Sequence, residues 1–226
     1  MTPESMPTDA SARIVSVQTG RVAPLGPRRV PSGFVKHGVN GPVHAGTFGL
    51  EGDEQADLTV HGGPDKAVYG YALSSYSIWL RDFSQHGALL IPGGLGENVT
   101  IEGLDETTVC IGDIVRVGTA VLQVSQPRQP CFKFALRFND KHLPRAMMRN
   151  GLCGWYYRVL EPGTLGAGDA MTLQARPNPG WPVARFHRLI ASQPAAPNDL
   201  AELATLEGLA THWRQAARRA NAGPAS

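Results

Sequence analysis

Two runs rich in β-branched residues, 113–117 and 120–125, are separated only by Gly118-Thr119. That spacing commits the middle of the chain to an antiparallel β-hairpin. Its second strand leads straight into Gln126-Pro127-Arg128-Gln129-Pro130-Cys131-Phe132-Lys133. Proline fixes φ and removes a backbone donor, so Pro127 and Pro130 are expected to take the chain out of the ladder and hold Cys131 at the rim of a sheet. Arg128 lies three residues before that thiol and Lys133 two residues after it. Both charges favour thiolate over thiol, which suits Cys131 to be a nucleophile or a metal ligand. The alternative is a small buried hydrophobe ahead of a helix.

Around the hairpin, alternating patterns predict strands over 13–19, 43–50, 67–73, 97–102, 155–160 and 170–175. A helix capped by Ser74 is expected to bury Tyr76, Trp79, Leu80 and Phe83, and further helices are expected over 131–138 and 143–150, the second closed by Gly151. Many short strands, abundant glycine and few helices give a mainly β (α+β) fold, a barrel or sandwich with peripheral helices. Composition changes at Arg176-Pro177-Asn178-Pro179-Gly180, which reads as a linker or hinge. Beyond it three short helices are expected, over 183–192, from a capping box of Asp199 and Glu202, and over 211–220. The domain reading is a disordered start at 1–12, a β body at 13–176 and a three-helix unit at 177–226, whose helices must pack on the body or on another subunit because they bury too little alone. Arg214, Arg218 and Arg219 read as a solvated helix terminus favoured by the helix dipole.

A net charge of +2 over 226 residues, with dispersed basic groups, argues against a nucleic-acid partner. The first dozen residues resemble neither a secretory signal nor a transit peptide, and no run approaches the ~18 apolar residues of a membrane span. The expectation is a cytoplasmic protein with no membrane contact. Cys110, Cys131 and Cys153 are three widely spaced thiols. They form no disulfide framework, no CxxC zinc pair and no ligand set for an iron–sulfur cluster, so redox chemistry here needs a bound cofactor and electrons from elsewhere.

A second polar constellation occupies Gly49-Leu50-Glu51-Gly52-Asp53-Glu54-Gln55-Ala56-Asp57 and Val60-His61-Gly62-Gly63-Pro64-Asp65-Lys66-Ala67. Gly62 and Gly63 let the backbone approach a ligand closely, and their N–H groups offer a phosphate cradle. The same residues also make a good turn, with Asp53 or Asp57 as capping groups. Gly93-Gly94-Leu95-Gly96-Glu97-Asn98 is glycine-rich, but no helix pattern follows it, which weakens a nucleotide-binding reading.

GLEGDEQAD, VHGGPDKAV, GGLGENVTIEGL, VCIGDIVRVG, LQVSQPRQPCFK, NGLCGWYYRVLEPG and GDAMTL, in this order, resemble the MOSC family, and within it the YiiM-like branch with a three-helix C-terminal unit. The resemblance runs from about Arg13 to the C-terminal helices, and PRQPC together with HGGPDKA is its specific part. It implies a MOSC-type β-barrel that binds the molybdenum cofactor, the metal being held by the cofactor dithiolene and by Cys131. It implies reduction of N-hydroxylated small molecules (hydroxylaminopurines, amidoximes, hydroxylamines) to amines, with electrons from a separate flavin or iron–sulfur protein. At family level only, it also carries an association with pyridoxal phosphate.

Soft sulfur suits molybdenum, which agrees with the thiolate reading of Cys131. Arg128 is suited to lower that thiol's pKa and to hold an anionic pterin phosphate, and His61 to deliver a proton, so Cys131, Arg128 and His61 form the expected catalytic group. Gly62, Gly63, Lys66, Asn98 and Lys133 are further candidates for the cofactor, with Asp57 orienting His61. A cofactor carrier and a persulfide-forming sulfur-transfer protein stay open as alternatives, as does a homodimer.

Overall fold

The computed structural model describes residues 12–58, 62–192 and 196–221. In chain order its elements are β1 (Arg13–Thr19), β2 (Ala23–Leu25), β3 (Val30–Ser32), β4 (His37–Gly38), β5 (Val43–Gly46), β6 (Gly49–Leu50), β7 (Val68–Ala72), α1 (Leu73–Asp82) and β8 (Val99–Glu102). There follow β9 (Ile114–Val117), β10 (Ala120–Pro127), α2 (Phe132–Phe138), α3 (Leu143–Asn150), β11 (Trp155–Glu161), β12 (Gly163–Leu165), β13 (Met171–Ala175), α4 (Val183–Ala191), α5 (Pro197–Leu203) and α6 (Thr211–Asn221). No helix of the described residues is long and apolar enough to cross a membrane.

The expected hairpin is present as β9–β10, paired from Val117↔Ala120 to Ile114↔Gln123. It sits inside one mixed sheet of order β13-β9-β10-β11-β7-β8-β1-β4, in which only β7 and β8 run parallel, joined by α1. A bridge between Arg13 and Ala170, with Ile14 N donating to Asp169 O and Met171 N to Ala12 O, brings β1 against the β13 end of that sheet. The fold is therefore α+β, a sheet curled toward closure, as the strand-rich sequence implied. All eight residues of β10 and all five of β7 are buried, so the strands that lead to Arg128 and carry Tyr69 run through the centre of the core. Trp79, Trp155, Tyr71, Tyr157 and Phe134 fill it.

Several local expectations are corrected. Pro127 stays in the ladder opposite Trp155, and Arg128 N still donates to Gly154 O at 3.2 Å. A proline costs the ladder only its own N–H, and the next residue resumes the bonding, so the chain leaves the sheet after Arg128. Ser74 caps nothing: β7 runs directly into α1 with Ala72 at the N-cap. Leu80 is 39% exposed while Tyr76 and Trp79 are buried, so the apolar face is narrower than its spacing suggested. Asp199 and Glu202 form no capping box. Pro197 opens α5, and both carboxylates instead accept from Arg185 Nη2 (2.7 and 3.1 Å), with Glu202 also taking Trp181 Nε1 at 2.8 Å. Charge-assisted tertiary bonds win over a local cap.

The 176–180 segment is bonded on both sides, unlike a free hinge. Arg176 makes a two-point ion pair with Asp113 (2.9 and 2.7 Å), and Asn178 Nδ2 donates to Ile111 O and Glu207 O, both at 2.8 Å. Val183 N and Ala184 N then donate to Val109 O and Glu106 O, which seats α4 on the body.

Candidate functional site

An open pocket lies where the end of β10, the turn after β6, the 64–66 turn and the loop between β3 and β4 converge. Its wall includes Cys131, Arg128, Lys133, Lys66 and Asn98 from the sequence-derived set. Phe34, Lys36, Asp53, Glu54, Tyr69 and Tyr156 also line it. Cys131 is partly exposed and free, the N-terminal boundary residue of α2, with φ −119° and ψ 168°. That extended backbone, set by the Gln129-Pro130 exit from the sheet, places the thiol on the pocket wall.

Arg128 carries the strongest electrostatic demand. Its side chain is 4% exposed, and its guanidinium sits 5.5, 5.2 and 5.6 Å from the ring centres of Phe34, Tyr69 and Phe134. Nη1 donates to the Met147 thioether at 3.3 Å. Among the described residues no carboxylate is within ion-pair distance of it. Burial pushes the phenols of Tyr69 and Tyr156 and the thiol of Cys153 up, so these neighbours are neutral at working pH. A guanidinium cannot shed its proton, and an uncompensated buried charge is costly. This one faces a pocket, where an anion can compensate it.

The remaining wall charges are of both signs: Glu54 pairs outward with the exposed Arg21 at 3.5 Å. Lys36 forms a buried ion pair with Asp53, the two side chains being 6% and 1% exposed. Asp53 also accepts from Gly20 N at 2.8 Å and Asn98 Nδ2 at 2.9 Å, so it ties three loops together. Lys36 is thereby neutralised. Lys133 is 8% exposed, and burial holds Lys66 below the usual lysine range against the opposing pull of Asp65. Arg128, Lys66 and Lys133 thus share the pocket wall with Cys131 and give it positive charge suited to a phosphate-bearing ligand.

Asn98 serves the wall as well as lining it: Oδ1 accepts Tyr69 N at 3.0 Å while Nδ2 holds Asp53. Gly62, Gly63 and Asp57 are not among the residues that line the pocket. Gly63, at φ 91°, starts the 3-10 turn Pro64–Lys66 that delivers Lys66. His61 lies outside the described residues. The Gly93–Gly96 loop offers no phosphate cradle, because Gly93 N and Leu95 N already donate to the buried Glu97 carboxylate at 2.7 and 3.2 Å. Among the described residues no group of three His, Cys, Asp or Glu side chains is placed to hold a metal.

Sequence reasoning missed Phe34, Lys36, Tyr69, Tyr156 and Glu106. Lys36 and Phe34 come from an irregular loop without periodicity, and the tyrosines read as ordinary strand core. Glu106 is 4% exposed behind Arg128: its carboxylate accepts Gly154 N at 2.7 Å, and Gly154 O accepts Arg128 N. Burial pushes this carboxyl up from 4.5 to about 7, against the backbone N–H groups that favour its charge. A raised folded pKa means that the fold favours the neutral acid. The stabilisation is full below pH 4.5 and is lost as pH climbs through about 7. Within that window stability should fall by at most about 1.4 kcal/mol per pH unit from this group. Melting curves from pH 5 to 8 should show that decline in the wild type and a flatter profile in Glu106→Gln. Parallel profiles would contradict it.

Comparison with known proteins gives a consistent picture. The MOSC domain family model matches residues 57–172. Protein YiiM of Escherichia coli is 40% identical over 162 residues, which span 72% of each chain. A protein named Reductase from Gibberella moniliformis is 35% identical over 206 residues, 90% of this chain but 36% of that longer one. The crystal structure of YiiM from Geobacillus stearothermophilus superimposes with a TM-score of 0.79 at 30% identity, covering 93% of this chain and 99% of that one.

Proposed function

The chain belongs to the MOSC domain family, and from that premise we propose that it is a molybdenum-cofactor-dependent reductase of N-hydroxylated small molecules, with Cys131 as the protein's ligand to the metal. One observation carries the reading: a buried, permanently charged Arg128 without a carboxylate partner among the described residues lines the same pocket as the partly exposed Cys131. The donor set fits the cofactor, since a thiolate is the soft ligand molybdenum prefers and the cations around it match an anionic pterin phosphate. When bound, the cofactor supplies two-electron removal of oxygen from an N–OH group, which leaves the amine.

The chain's own residues bind, orient and shield. Cys131 Sγ fixes the metal end of the cofactor. Arg128, with Lys133 and Lys66, holds the anionic end, and the rings of Phe34, Tyr69 and Phe134 keep water from the guanidinium, which strengthens its pull on an anion. Asn98 and Asp53 lock the opposite wall. The proton for the departing oxygen is assigned to His61 on sequence grounds. Electrons come from a separate flavin or iron–sulfur protein, because three dispersed thiols cannot hold a cluster.

Expression in hosts able and unable to make the molybdenum cofactor tests the reading. Protein from the competent host should contain stoichiometric molybdenum and, given reductant, convert 6-hydroxylaminopurine to the amine. Protein from the deficient host should do neither. Bound molybdenum without turnover would identify a carrier instead, and a molybdenum-free chain with a persulfide mass on Cys131 would identify sulfur transfer.

A further inference from the structure

We infer that Asp65 is a positioning residue: its contacts with Arg158 and with the start of α6 clamp the Lys66 wall of the pocket to the C-terminal helices, which makes those helices part of the ligand-binding apparatus. Asp65 precedes Lys66, and no described part of its side chain lines the pocket. Its Oδ1 accepts from Arg158 Nε at 3.0 Å and from Arg158 Nη2, and its Oδ2 accepts from Thr211 N at 3.4 Å. Its backbone carbonyl takes the Ser125 hydroxyl, and Ser125 O accepts Ala210 N at 3.0 Å. Arg158 completes the joint by donating from Nη1 to Gln123 Oε1 at 2.8 Å and to Gly208 O at 2.9 Å.

The junction is built for close approach. Gly208 has φ 75°, and a Cβ there would stand 2.7 Å from Gly112 Cα and 2.8 Å from Gln123 Nε2, so only glycine lets the 204–210 segment reach β10. One carboxylate thus joins β11, the turn that presents Lys66, and α6. An isolated ion pair at this exposure contributes little to stability. Its effect is geometric: it fixes where the Lys66 ammonium stands relative to Arg128 and Lys133. The consequence for ligand retention rests on the cofactor reading above, whereas the joint itself does not.

Amide hydrogen exchange on cofactor-free protein tests the joint. In Asp65→Ala, and independently in Arg158→Gln, the Lys66 amide, which donates to Gly63 O at 2.9 Å, should exchange roughly tenfold faster, as should amides at the start of α6, while β9 and β10 are unchanged. The double variant should add little to either single one. Asp65→Glu should restore much of the protection. Unchanged exchange at Lys66, or a rise spread over the whole sheet, would overturn the inference. In protein from a cofactor-competent host, Asp65→Ala should weaken molybdenum retention roughly tenfold. Faster local exchange with undiminished molybdenum would overturn the ligand half alone, and a wild type without molybdenum would refute the cofactor reading while leaving the joint standing on its exchange result.

Discussion

Replacing Arg128 with methionine is expected to raise the melting temperature of the cofactor-free protein while removing its capacity to retain the cofactor. The guanidinium is 4% exposed and has no carboxylate partner among the described residues. Exchanging even a buried ion pair for apolar side chains of similar volume is often neutral or stabilising by about 1–4 kcal/mol, and a buried charge with no partner bears its desolvation cost without that compensation. Two losses oppose the gain: the 3.3 Å hydrogen bond from Nη1 to the Met147 thioether and the three ring contacts. The ring contacts, at 5.2–5.6 Å, approach the outer reach of a cation–π interaction, worth about 0.5–2 kcal/mol each. Methionine sulfur against the same rings recovers about 0.3–1.5 kcal/mol apiece, so the desolvation term decides the sign.

At roughly 2–4 °C per kcal/mol for a chain of this size, a gain of several degrees is measurable by calorimetry. Arg128→Lys keeps a charge but loses the planar fork and should fall between wild type and Arg128→Met in cofactor retention. A destabilised Arg128→Met that still binds the cofactor would show that the guanidinium is structural. A higher melting temperature together with lost cofactor retention would identify a residue kept for its ligand at the expense of the fold.

Cys131→Ser is the second large effect. The side chain is partly exposed and its thiol has no described hydrogen-bond partner that the fold depends on, so stability should change by less than about 0.5 kcal/mol. Retention of molybdenum should nevertheless fall by roughly 100-fold or more, because a hydroxyl is a hard, protonated donor where a soft thiolate is needed. Turnover of a hydroxylamino substrate should vanish with the metal. Full activity in a folded Cys131→Ser protein would remove the residue from the site.

How far the sequence carries these conclusions depends on the kind of signal each residue leaves. The β9–β10 hairpin and the step from β10 to Cys131 are legible because β-branched alternation, a two-residue turn and two prolines act within twenty residues of chain. Arg128, Lys133, Lys66 and Asn98 meet Cys131 in one pocket, and each belongs to one of the polar motifs that stand out in the sequence, PRQPCFK, HGGPDKA and GGLGEN. Lys36 gives no such signal. Its partner Asp53 is seventeen residues away across a hairpin, and nothing in composition pairs the two.

Tyr69 and Tyr156 are hidden for a different reason. Alternation marks them as core, and only the tertiary arrangement turns the Tyr69 ring toward the Arg128 cation and sets Tyr156 on the pocket wall. Glu106 is invisible for the converse reason: an acid in a polar loop reads as solvated, and its burial comes from α4 closing over it. Asp65 looked like turn chemistry, and its contacts with Arg158 and α6 span sequence separations that local reasoning cannot reach.

The central claim is that a lone protein sulfur completes the coordination of a metal whose other ligands arrive with its cofactor. X-ray absorption at the molybdenum edge of the holoprotein, set beside the residual metal in Cys131→Ser, measures this directly. The account predicts one more sulfur neighbour around molybdenum in the wild type than in the variant. Identical sulfur shells in the two proteins would contradict it.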